Sequence, residues 1–157
     1  MQCRQNVAWF QTVAGQVVGS LLEVQPLSLP LTEDEESRLT ILVVDDDAEV
    51  RASLAELLQL EGYDVVALPN ANVALSHLCQ NPPPALVLVD LLMPGMNAWE
   101  LMAQMRMRDK LAKVPLVAMT GAGPQWGAPV PGSLVLRKPI AADRLLEVVR
   151  AQAKPPG

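Results

Sequence analysis

Leu39-Thr40-Ile41-Leu42-Val43-Val44-Asp45-Asp46-Asp47 and Ala85-Leu86-Val87-Leu88-Val89-Asp90 are the two stretches that decide the fold. Each is a short aliphatic run that stops on a carboxylate. A strand with one wet face alternates apolar and polar residues, whereas a strand covered on both faces is apolar throughout. Both runs therefore read as central strands of a parallel sheet packed between helices.

Working outward, Val50, Leu54, Leu57 and Leu58 recur at helical spacing, and Gly62 supplies a stop. Tyr63 to Leu68 reads as a second strand, and Asn70 can cap a helix through Val73, Ala74, Leu75 and Leu78. Asn81-Pro82-Pro83-Pro84 breaks that helix ahead of the third strand, Ala85 to Val89. Met93-Pro94-Gly95-Met96 forms a turn, Asn97 a cap, and Trp99 to Arg108 a third helix, on which Trp99, Leu101, Met102 and Met105 are read as packing residues. Val114 to Met119 and Leu134 to Leu136 are two further strands, and Ala142 to Ala153 is the last helix. Strands alternating with helices predict the α/β class, with a doubly wound parallel sheet.

The 157 residues suit one domain with length to spare: half are hydrophobic and 18% are charged, enough apolar material for a core. A formal net charge of −5 and 3% aromatic residues argue against nucleic acid as a partner. Cys3 and Cys79 stand far apart with no ligand spacing around them, so neither a disulfide framework nor a zinc site is implied. The apolar stretch from Val7 to Leu22 is too interrupted to span a membrane, and the expected location is cytoplasmic. Residues 1–39 read as an N-terminal extension, helical or disordered, ending in a linker with the acidic run Glu33-Asp34-Glu35-Glu36; residues 40–153 form the domain, and 154–157 a tail.

Ligands of open parallel sheets bind beyond the carboxyl ends of the strands. Those ends carry Asp45 and Asp46, Asp90, Thr120, and Lys138 followed by Pro139. Three carboxylates on one rim demand a cation, and hard oxygen donors favour Mg²⁺. Asp90, alone at the end of the central run, is the candidate nucleophile for an aspartyl-phosphate, with Lys138 and the Thr120 hydroxyl available to neutralise and position a phosphoryl group. Asp47 is read as a helix cap, and the lone His77, mid-helix, as no part of the site.

Taken in order, Ile41-Leu42-Val43-Val44-Asp45-Asp46, Leu88-Val89-Asp90-Leu91-Leu92-Met93-Pro94-Gly95-Met96-Asn97, Ala118-Met119-Thr120-Gly121 and Lys138-Pro139 resemble the receiver domain of two-component response regulators. The resemblance implies a flavodoxin-like (CheY-like) fold with five parallel strands in the order 2-1-3-4-5. It implies that Asp90 accepts a phosphoryl group from a histidine kinase or phosphotransfer protein. Asp45, Asp46, Asp90 and the backbone carbonyl of Leu92 would hold Mg²⁺, Thr120 and Lys138 would bind the phosphoryl oxygens, and the Lys138–Pro139 bond would be cis. The signal would pass to an unknown downstream protein, with a homodimer as an open alternative, from a receiver expected to stand alone and to be no enzyme beyond slow self-dephosphorylation.

Departures from the family pattern sharpen these expectations. Val135 stands where relatives carry a switching Tyr or Phe. Residues 121–132 hold Gly and Pro at seven positions, so the family's fourth helix is expected to be shortened or lost, with Trp126 filling core space or anchoring a partner. Leu92 and Ala122, flanking the acceptor, cannot orient a water by hydrogen bonding, which predicts slow self-dephosphorylation. Arg106, Arg108, Lys110 and Lys113 read as a solvated basic patch. Two other readings stay in view: a degenerate receiver acting as a constitutive interaction module, and a Mg²⁺-dependent phosphohydrolase. The second is weakened because haloacid-dehalogenase-like enzymes place an Asp where this chain has Leu92.

Overall fold

The aliphatic runs pair side by side as a parallel sheet because their amide groups have no other partners once both faces are covered. A computed structural model describes residues 38–121 and 134–155. In chain order it contains β1 (Thr40–Val44), α1 (Ala48–Leu60), β2 (Asp64–Leu68), α2 (Ala71–Gln80), β3 (Leu86–Asp90), α3 (Ala98–Arg106), β4 (Leu116–Thr120), β5 (Leu134–Arg137) and α4 (Ala142–Gln152). The five strands lie in the order β2-β1-β3-β4-β5, all parallel, which is the expected doubly wound topology. Four helices are present among the described residues.

Strand alternation divides the aliphatic runs between two cores. Leu42, Val44, Val87, Val89, Leu116 and Ala118 point to one face, where Ala74 and Leu78 of α2 and Leu101, Met102 and Met105 of α3 cover them. Ile41, Val43, Leu86, Leu88, Val117 and Met119 point to the other, under Leu58 of α1 and Leu145, Leu146, Val148 and Val149 of α4. Every residue of β3 and β4 is buried, so a polar side chain within either strand would lie in an apolar layer. Polar groups accordingly collect at the strand ends.

Several boundaries differ from the sequence reading. Asp90, Thr120 and Arg137 belong to their strands, because ladder bonds continue past the aliphatic run: Leu91 N donates to Met119 O, and Lys138 N to Thr120 O, each at 2.8 Å. In the other direction, α3 ends at Arg106 and not Arg108. The Arg106 guanidinium donates to the carbonyls of Ala112 and Val114, and that of Arg108 to the carbonyl of Gln104. Arg106 therefore braces the turn after α3 while staying exposed, and Arg108 bonds back onto the end of the helix. The expected N-terminal helix and acidic linker, the Gly- and Pro-rich connection before β5, Ala122 and Trp126 all lie outside the described residues.

Caps set the helix starts. Asp47 accepts from Glu49 N and Val50 N, Asn70 from Val73 N, and Asn97 forms a reciprocal capping box with Glu100. Helix α1 closes at Gly62, whose φ of +91° suits glycine. Helix α4 begins at Ala141 with no side-chain cap. Replacing Asn97 by Ala is expected to lower the unfolding free energy by about 1 kcal/mol, while Ala141→Ser raises it by a similar amount. Urea unfolding of the two variants against wild type measures both signs.

Candidate functional site

The register of the central strands puts the acidic residues together. Val44 pairs with Val89, so Asp45 follows β1 at the level where Asp90 ends β3. Met119 pairs with Asp90, and Thr120 with Arg137, which brings Thr120 and Lys138 to the same rim. One carboxylate oxygen from each of Asp45, Asp46 and Asp90 lies within 4.8 Å of those of the other two. Asp45 is fully buried, Asp90 is buried, and Asp46 faces solvent.

Lys138 Nζ lies 2.6 Å from Asp45 Oδ2 and 3.1 Å from Asp90 Oδ2, an ammonium shared between two buried carboxylates. The remaining oxygens are held by backbone amides: Asp47 N donates to Asp45 Oδ1 at 2.9 Å, and Leu92 N to Asp90 Oδ1 at 3.0 Å. No buried side-chain N or O atom among the described residues lacks a partner. Burial works against the charge on Lys138, but hydrogen bonds from its ammonium to Asp45 and Asp90, with the attraction of their charges, outweigh that cost. They hold its pKa above the ordinary 10.5.

The structure thus brings Asp45, Asp46, Asp90 and Lys138 into one cluster. Thr120 sits on the same rim, buried at the end of β4. The Lys138–Pro139 peptide is cis. Leu92 contributes its amide to Asp90 while its side chain is 39% exposed. Val135 packs against the core formed with α2 and α3. His77 is far from the rim in sequence and bonds Asn81 at the end of α2.

One contributor was missed in the sequence. Arg51 NH1 donates to the backbone carbonyl of Asp45 at 2.6 Å, fixing the peptide that presents the acidic pair. Its signal was available: Arg51 lies one turn beyond the cap Asp47 and so points back toward the helix start. A cleft of ≈ 590 Å³ opens beside Lys138, walled by Val50, Ser53 and Leu54 of α1 and by Pro139 and Ile140.

The donor set suits a divalent cation. One ammonium stands against three carboxylates, leaving two uncompensated negative charges at a rim with one acid open to water. Each carboxylate also offers about four acceptor positions, more than the bonds above use. Oxygen donors of this charge with room for water suit Mg²⁺. The cluster fits the ion.

No helix among the described residues is long and apolar enough to cross a membrane. Comparison with known proteins gives a family model, "Response regulator receiver domain", that matches residues 41–150. Among curated relatives, the C4-dicarboxylate transport transcriptional regulatory protein DctD of Pseudomonas aeruginosa is 32% identical over 73% of this chain and 25% of its own length. Protein PilH of the same organism is 26% identical over 71% of this chain and 94% of PilH. The first curated relatives are longer than the match, which spans 25% of DctD and 34% of the CpxR homolog of Haemophilus influenzae. Among solved structures, the Vibrio cholerae chemotaxis protein CheY4 superimposes with a TM-score of 0.66 at 25% identity, covering 74% of this chain and 99% of that one. A response regulator receiver protein from Sinorhizobium medicae gives a TM-score of 0.67 at 24% identity, covering 74% and 95%. With the family model matching well over half of its residues, and with the parallel sheet order and acidic rim already described, this chain belongs to the response regulator receiver domain family of two-component systems.

Proposed function

We propose that Asp90 is the phosphoacceptor of a Mg²⁺-dependent phosphorylation switch, served by a histidine kinase or a phosphotransfer protein, and that phosphorylation controls binding to another protein. The observation that carries this reading is the Asp45, Asp46 and Asp90 cluster with Lys138 bridging its two buried members. Residues 40–153 constitute the switch, with residues 1–39 as an extension.

In the proposed reaction an Asp90 oxygen attacks phosphorus of a phosphohistidine, forming an O–P bond as the N–P bond breaks, and the imidazole leaves with a proton from solvent. Asp45, Asp46, Asp90 and the Leu92 carbonyl would hold Mg²⁺, which when bound supplies neutralisation of the phosphoryl charge. Lys138 already lies 3.1 Å from Asp90 Oδ2 and is held protonated by its two carboxylate partners, so it can follow the charge as it moves outward onto the phosphoryl oxygens. The Thr120 hydroxyl, on the same rim, would hydrogen-bond one of those oxygens. Leu92 presents only carbon atoms toward solvent, so no side chain there activates water, and hydrolysis of the acyl phosphate is slow.

Incubation with Mg²⁺ and a small phosphodonor is expected to add one phosphoryl group to wild type and none to Asp90→Asn, read by intact mass. The adduct should outlast minutes; absence of the adduct, or its loss within seconds, refutes the reading.

Lys138→Met is expected to cost about 3–5 kcal/mol of stability at neutral pH without divalent cation, because it strands two buried carboxylates. The Lys138 contribution has a defined pH sign. Its folded-state pKa is raised above 10.5, so the stabilisation is fully present below that pH and is lost as pH rises through the folded value. From neutral pH upward, the stability gap between wild type and Lys138→Met should stay level and then narrow in strong alkali, as measured by urea unfolding from neutral to alkaline pH.

Mg²⁺ should raise the melting temperature of wild type, by the equivalent of about 2.7 kcal/mol at a hundredfold excess over its dissociation constant. Asp46→Asn relieves repulsion, so it should melt higher than wild type in chelator and show a much smaller Mg²⁺ increment. Thermal unfolding with and without Mg²⁺ checks both directions.

A further inference from the structure

The rim opposite the acidic cluster has its own charge pattern. The chain contains four lysines: Lys138 is in the site, and the other three, Lys110, Lys113 and Lys154, line a single cleft of ≈ 220 Å³ at the amino-terminal ends of the strands. Pro84, Pro115 and Pro155 form its apolar walls. All three lysines are exposed, and none makes an ion pair with a described carboxylate. Three like charges converging on a proline-walled cleft favour an acidic peptide over an apolar one.

The sequence carries such a peptide a few residues ahead of β1. Glu33-Asp34-Glu35-Glu36 carries four of the 17 acidic residues and enters β1 four residues later at Thr40. Thr40 O accepts from Ala85 N at 2.8 Å, and Ala85 O in turn accepts from Lys154 N at 3.3 Å. Val87 N bonds Pro115 O at 3.0 Å. The start of β1, the entry to β3, the entry to β4 and the tail are therefore hydrogen-bonded neighbours along one rim. Adjacent strands lie about 4.8 Å apart, so β4 is about 10 Å from β1. At about 3.5 Å per residue, the chain between Thr40 and Glu36 reaches about 14 Å, and to Glu33 about 25 Å, enough to lay the acidic run across all three lysines.

We propose that the Lys110, Lys113 and Lys154 cleft is an internal docking site for the acidic run Glu33–Glu36 of the same chain. Individual exposed ion pairs are weak, but the short tether gives the run an effective concentration on the order of millimolar, which an outside peptide must exceed. The clasp is electrostatic and responds to salt. It lies at the strand ends away from Asp90 and is independent of phosphorylation chemistry.

Zero-length carbodiimide cross-linking of the full chain, with peptide mapping by mass spectrometry, tests this directly. The expected result is amide links from Glu33–Glu36 to Lys110, Lys113 and Lys154 within one molecule, shown by equal mixtures of ¹⁵N and ¹⁴N protein giving no mixed pairs. Yield should fall at least about threefold between 0.1 M and 1 M salt, as the Debye length shrinks from about 10 Å to about 3 Å. The variant with Glu33→Gln, Asp34→Asn, Glu35→Gln and Glu36→Gln should lose the links while still accepting a phosphoryl group on Asp90. Mixed-isotope links would mean a second copy occupies the cleft, and links only to other acids would mean the run does not dock; either overturns the proposal. So does a free peptide of residues 32–38 that cross-links to these lysines as well in wild type as in the neutralised variant, since the cleft would then stand open to outside partners.

Discussion

Two buried carboxylates sharing one ammonium is the constraint on which the rest of the structure depends. Asp45 and Asp90 end neighbouring strands inside an apolar sheet, where a bare charge costs several kcal/mol. Lys138 offsets that cost for both from the far edge of the sheet, across 93 and 48 residues of chain. Strand β5 lies at the sheet edge against β4, so the Lys138 side chain must reach across the ends of β4 and β3 to meet both carboxylates. The backbone amides of Asp47 and Leu92 complete the arrangement by bonding the other oxygen of each, which orients both carboxylates before any ligand arrives.

Among the described residues that arrangement leaves no buried side-chain N or O atom without a partner, yet it stays unbalanced in charge. Asp46 faces solvent within 4.8 Å of the pair, so the cluster keeps a net negative charge that favours a cation, and a single lysine positioned to change partners. The same features that make the rim tolerable inside a fold are the ones the proposed phosphoryl transfer would use. Stability and reactivity here draw on one set of contacts, and the apolar layers above and below exclude water from Asp45 while leaving Asp90 reachable from the rim.

The opposite rim carries the complementary sign. All lysines other than Lys138 gather there, at the points where β3 and β4 begin and where the chain leaves α4. Parallel topology is the cause: every strand runs the same way, so residues preceding strands collect at one end and residues following them at the other. A parallel sheet thus sorts local sequence features into two distant surfaces, and the net charge of −5 hides the separation.

Much of this was legible in the residues alone. Unbroken aliphatic runs ending in Asp45 and Asp90 implied buried parallel strands; Asp47, Asn70 and Asn97 marked helix starts by their capping chemistry; and the ordered set Asp45, Asp46, Asp90, Thr120, Lys138 marked the rim. These are local signals, set by hydrophobic period and by side-chain bonds to nearby amides. The last residues of the strands were not legible, because a ladder bond such as Leu91 N to Met119 O depends on a partner 28 positions away. Nor was Arg51's grip on the Asp45 carbonyl, the bracing role of Arg106, or the convergence of Lys110 and Lys113 with Lys154. The chain by itself determined which segments are strands and helices and which residues carry charge. Only tertiary structure decided which charges meet, because pairing across the sheet is set by strand order and register, and those are settled when two apolar faces are buried together.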